Sequence, residues 1–183
     1  MKLAAFFAKV RDHYVDQFSE FVAREQASCK QGHAEVKFRI PEPTRLYERL
    51  VCVDFATNDA GVEVKFFKPE LMLNFHPITG GWRAMRFQIE ALRWDSVVIH
   101  HNCPEIPDSD LKDWFARWFD PQDLRHDPAA KFGFVVHSLS VERGRLEIDL
   151  GTAPTDALSD MFNLLERSGT TFVRIDGATP APN

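Results

Sequence analysis

His100, His101 and Cys103 stand at the end of an apolar run, Ser96-Val97-Val98-Ile99, with Glu105, Asp108 and Asp110 just beyond. Imidazole and thiolate are zinc ligands, and strand ends commonly carry sites. These three residues are therefore the candidate metal ligands, and zinc is the ion they would take. One constraint opposes them: adjacent strand residues point to opposite faces, so His100 and His101 share an ion only across a bulge. A further ligand would have to come from His76, His126 or His137, and spacing supports none of them.

Other residue types with chemistry in them read more simply as structure. His137-Ser138 suggests a nucleophile and base, but neighbours on a strand face apart and no Gly-x-Ser-x-Gly turn is present. A histidine inside the apolar run Val135 to Val141 reads as a satisfied core side chain. Cys52 lies between Val51 and Val53 and reads as inert packing, while Cys29 is the more exposed thiol but has no activating histidine beside it. Gly80-Gly81 matches no phosphate-loop pattern. The acidic pair Asp108 and Asp110 suits a helix start, where carboxylates meet the positive end of the dipole. Trp114, Phe115 and Trp118 fall at helical spacing and read as core.

The elements that would position these residues follow from periodicity. Leu3, Phe6, Phe7, Val10, Tyr14, Phe18, Phe21 and Val22 recur at three- and four-residue steps, which predicts an amphipathic helix over 1–30. Such a helix outreaches a small domain, so Leu3, Phe6, Phe7 and Val10 are the candidate self-association residues; the alternative is that they cover the chain's own sheet. Residues 34–93 read as a β-meander of short alternating runs: 34–40, 47–55, 62–67, 71–75 and 82–94. Within it, 82–94 fits strand and helix periods equally well, and strand is taken. Val36, Phe38 and Ile40, and Val51, Val53 and Phe55, are expected to face inward.

Residues 132–150 give the clearest signal, a β-hairpin turning at Arg143-Gly144. Helices are expected at about 108–119 and from a start at Thr152 to Thr155 to an end just before Gly169, the second presenting Leu158, Met161, Phe162 and Leu165. With strands at 96–101 and 171–176, residues 95–176 then read β-α-β-β-α-β, the order of a ferredoxin-like unit. The fold class is thus α+β: a long N-terminal helix, a mostly antiparallel sheet and two further helices. One domain over 1–176 is expected, followed by a Pro/Ala tail, 177–183, expected to be disordered.

Composition bounds the function. Of 183 residues, 44% are hydrophobic and 16 are phenylalanine, enough for a large aromatic core. Net charge is −5, unevenly spread: 14 basic and 12 acidic residues in 1–94, 8 and 15 in 95–183. An acidic second half repels phosphate backbones. A nucleic-acid surface would have to use Lys65, Lys68, Arg83, Arg86 and Arg93 with their neighbouring aromatics, and no RNP-like motif supports it. Three cysteines without CxxC spacing, and no apolar run long enough for a signal peptide or a membrane span, point to a cytoplasmic protein with reduced thiols. The balance favours a non-catalytic binding or protein-interaction module, acting through a protein partner or self-association. The alternative is a metal-binding protein or metal-dependent enzyme using His100, His101 or Cys103.

Overall fold

The computed structural model describes residues 3–70, 72–125, 127 and 129–177. The chain opens with α1 (Leu3–Ser28), then β1 (Gly32–Arg39), a 3-10 turn at Tyr47–Arg49, β2 (Leu50–Thr57) and the short β3 (Glu63–Lys65). It continues through β4 (Ile78–Trp82), β5 (Met85–Ile89), β6 (Val97–His101), α2 (Asp108–Phe119), β7 (Ser138–Glu142), β8 (Arg145–Asp149), α3 (Thr155–Arg167) and β9 (Phe172–Gly177). The tail expected over 177–183 lies outside the described residues from 178 onward.

α1 buries the stripe its spacing predicts: Phe6, Phe7, Val10, Tyr14, Phe18, Phe21 and Val22. Phe6 packs edge-on to Phe75 and Phe7 edge-on to Phe162 of α3. Phe6, Phe7 and Val10 thus face the chain's own interior, with Leu3 half-buried at the margin. The stripe considered for self-association is the inner face of the helix, because its aromatic side chains find partners within the chain.

Two sheets form. β1-β2-β3 is antiparallel, and the six-stranded sheet runs β4-β5-β9-β6-β8-β7. All neighbouring pairs in the larger sheet are antiparallel except β5 with β9, which run parallel. The architecture is α+β with a long N-terminal helix and a mixed sheet. It differs from one continuous meander over 34–93, because β4 and β5 leave the first sheet and join the second. Met85, Phe87 and Ile89 are buried there, and α3 lays Phe162 against Trp82 and Phe87. Strand is the correct reading of 85–89. No strand forms at 72–77; Leu73 and Phe75 instead pack half-buried against the core.

α2 and α3 lie side by side, joined where the Trp114 indole N–H donates to the Ala157 carbonyl at 3.0 Å. Ala157, Leu158, Met161, Phe162, Leu164 and Leu165 are all buried on α3. The large aliphatic and aromatic members contribute about 1.5–3 kcal/mol each as an upper bound. The hairpin of β7 and β8 turns at Arg143-Gly144, where Gly144 takes a φ of +71° that glycine accepts without strain.

The two sheets meet at residues 135–137. The Cys52 N–H of β2 donates to the His137 carbonyl at 2.7 Å, and the His137 N–H donates to the Asp149 carbonyl of β8 at 2.9 Å. Leu46 bridges Ser140 nearby. A single cluster of buried side chains runs through both sheets.

Candidate functional site: a sealed Glu-His-Asp cluster

The seam between the sheets gathers the ionisable groups. Glu35 comes from β1, Asp54 from β2, His137 from the seam, Asp149 from the end of β8, and Thr152 from the turn before α3. β1 and β2 pair Ala34 with Phe55 and Val36 with Val53, which leaves Glu35 opposite Asp54. Glu35 holds a φ of +54° in the middle of its strand. A non-glycine residue pays strain energy for this left-handed backbone, and such strain persists only where surrounding contacts enforce it. Here the contacts are those of its carboxylate. Oε1 accepts from His137 Nε2 at 2.8 Å and from the Thr152 hydroxyl at 2.5 Å; Oε2 accepts from the Gly133 N–H at 2.6 Å.

On the other side of the imidazole, Nδ1 sits 3.1 Å from Asp54 Oδ1, within ion-pair reach but off the line of a hydrogen bond. Asp54 Oδ2 accepts the Phe67 N–H at 2.7 Å. Asp149 Oδ2 stands 4.0 Å from Nδ1, and its Oδ1 accepts the Gly151 N–H at 2.9 Å. The Phe18 ring of α1 packs 6.0 Å from the imidazole. Arg11 pins the adjoining turn by donating to the Thr152 and Ala153 carbonyls.

The electrostatics follow from this geometry. Burial alone would push His137 toward its neutral form, but the anionic neighbours outweigh burial and hold its pKa well above the usual imidazole range. Cys52 would contribute most as a thiolate, but burial pushes its thiol up to about 12, so it stays neutral at pH 7. The charge on His137 is therefore sustained by Asp54 and Glu35, with Asp149 adding to it as it ionises. For Glu35, burial works against ionisation, and the His137, Thr152 and Gly133 hydrogen bonds bring its pKa below the ordinary value nonetheless. Asp149 moves the other way, up to about 7, through burial first and the Asp54 charge next, although its side chain retains 29% of its surface.

Such a set could in principle move a proton, since a carboxylate-oriented imidazole is a standard base. The surroundings enclose it. His137 is 1% exposed, Cys52 is not a thiolate, and the Thr152 hydroxyl already donates to Glu35. Glu35, Asp54, His137 and Thr152 are absent from the lining of five well-formed clefts of the molecule. The packing is tight as well: a Cβ added at Gly151, which has a φ of +50°, would fall 2.1 Å from the imidazole ring. Gly151→Ala should therefore destabilise the protein by about 2–4 kcal/mol, combining overpacking with left-handed strain. Urea denaturation measures it, and a change under about 1 kcal/mol would mean that the ring has room to move.

The residues singled out as metal ligands go separate ways. His100 Nε2 pairs with Asp176 Oδ2 at 3.1 Å. The His101 Nδ1 accepts the Cys103 N–H at 3.3 Å, its Nε2 is buried without a hydrogen bond, and burial followed by the charge of His100 lowers its pKa. The Cys103 thiol lies 3.1 Å from the carbonyls of Glu105 and Ser168. Among the described residues no three His, Cys, Asp or Glu side chains are arranged to hold a metal ion; His126 lies outside them. Of the basic set, Lys65 pairs with Glu25, Arg93 with Asp95 and Arg83 with Glu166. No described helix is long and apolar enough to cross a membrane.

His137 was legible as a buried histidine, but Glu35 and Asp54 were not legible as its partners. Glu35 lies 102 residues away in sequence and sits on what the alternation marks as the outer face of its strand. The one available signal was an aspartate inside the apolar run Val51 to Phe55. No family model, no curated protein and no solved structure matches the chain.

Proposed function

We propose that the protein is a non-catalytic interaction module built on a ferredoxin-like unit, in which the Glu35–His137–Asp54 cluster is a structural clamp. The order β9-β6-β8-β7, with every pair antiparallel, supports the ferredoxin-like reading of residues 95–176. The observation that carries the functional reading is the burial of the cluster: His137, Glu35 and Asp54 keep 1%, 4% and 9% of their side-chain surface, and the Glu35–His137 hydrogen bond is spent inside the fold. An ion pair closed off from solvent acts on the fold rather than on a reactant. Three unpaired cysteines accord with a reducing, cytoplasmic setting, and protein surfaces, including a second copy of the chain, are the partners this reading calls for.

Metal analysis of untagged protein tests it against the alternative at His100, His101 and Cys103. The module reading expects substoichiometric zinc and a melting temperature unmoved by chelator or by added divalent cations. Stoichiometric zinc, or a melting temperature that zinc raises and chelator lowers, would overturn it, since a tightly bound ion must stabilise the folded state.

A further inference from the structure

β3 carries an unusual combination. It is the outer strand of its sheet, and among the described residues its second edge pairs with no other strand. Val64 lies on it, Val62 and Phe66 flank it immediately before and after, and the three are 40%, 69% and 68% exposed. Large exposed apolar side chains on and directly beside an open strand edge are what sheet proteins ordinarily avoid. The intervening positions carry Glu63 and Lys65.

That pattern is complementary to itself. In an antiparallel pairing of β3, extended by one residue at each end, with the same segment of a second copy, a two-fold axis at Val64 places Val64 against Val64. Val62 then lies opposite Phe66, and Glu63 opposite Lys65, each twice. The apolar pairs are the aromatic and β-branched cross-strand contacts that stabilise sheets, and both charged pairs attract. A one-residue slip would oppose residues of unlike character.

We infer that β3 is a homotypic docking edge through which two copies of this chain join their three-stranded sheets into one. The inference rests on the interaction-module reading and names its surface and its partner. Because β3 is short, the contact is smaller than a standard stable interface, and the dimer forms reversibly at about 0.1–1 mM protein.

Sedimentation equilibrium on the full chain tests it, with thermal melting to confirm folding. The expected result is a mass rising with concentration from 21.0 kDa toward twice that value. Glu63→Lys sets two pairs of like charges across the axis and should weaken self-association roughly tenfold or more. Lys65→Glu should do the same, and because Lys65 also pairs with Glu25, its melting curve is the necessary control. Mixing folded E63K with folded K65E restores both attractive pairs and should give a mixed dimer where neither variant alone associates. A mass that stays monomeric at about 1 mM overturns the inference, as does a dimer that E63K leaves unchanged. That second outcome would remove β3 from the contact while leaving the module reading intact, which only the metal test above addresses.

Discussion

His137→Leu should lower the unfolding free energy by about 3–5 kcal/mol, the usual loss when one partner is removed from a buried ion pair. Glu35 and Asp54 would then keep their places in the seam with nothing opposite them but hydrocarbon. Both are locked there by other bonds, Glu35 to Gly133 and Thr152, Asp54 to Phe67, so neither can swing out to water. The diagnostic is non-additivity. Adding Glu35→Gln to His137→Leu removes one stranded charge, so the pair of substitutions should cost about 1–3 kcal/mol less than the sum of the two single losses. Urea melts of the four proteins give the cycle. If H137L changes stability by less than about 1 kcal/mol, or if the two substitutions simply add, the cluster is not a clamp.

The melting temperature should be highest near about pH 4.5, should slope downward toward pH 7 as Asp149 ionises, and should fall further on the alkaline side, by about 6–12 °C at pH 9 if the His137 loss approaches 3 kcal/mol. The sign follows from which form the fold prefers. His137 is raised from an ordinary 6.5, so its contribution is full below that value and is lost as pH climbs through the folded pKa. Asp149, raised from 3.8 to about 7, contributes fully below the lower value and loses that contribution as pH climbs through the upper one. Glu35, lowered from 4.5, acts oppositely: its contribution is present above that value and is lost as the solution becomes more acidic. His137→Leu should flatten the alkaline limb. A wild-type profile that is level from pH 6 to 9 would mean that the imidazole is neutral in the folded protein.

Much of the fold was readable because its elements obey simple periods. Phe6, Phe7, Val10, Tyr14, Phe18, Phe21 and Val22 are the buried stripe of α1, and Leu158, Met161, Phe162 and Leu165 that of α3. The Arg143-Gly144 turn announced its hairpin. Alternation failed where a strand is covered on both faces: Cys52 through Thr57 are all buried, so period two carries no information there. Asp54 was lost in that stretch. It failed again at Glu35, whose left-handed backbone removes the link between sequence parity and direction. Phe119, off the main stripe of its helix, is fully buried because it stacks on Phe115 at 4.7 Å and lies beneath the Lys37 ammonium. The placement of β5 beside β9 rests on contacts between distant parts of the chain, which no local window can report.

The slotting of β9 between β5 and β6 has a consequence for how the chain comes off the ribosome. Those two strands cannot be joined until the segment that lies between them has been made, and 69 residues separate Asn102 from its partner Thr171 at that junction. Until then, a half-made molecule carries two unsatisfied strand borders and the apolar side chains that α3 will later cover. Nascent chains of this kind acquire their central sheet late and slowly, and they are the form most prone to capture by chaperones or to aggregation.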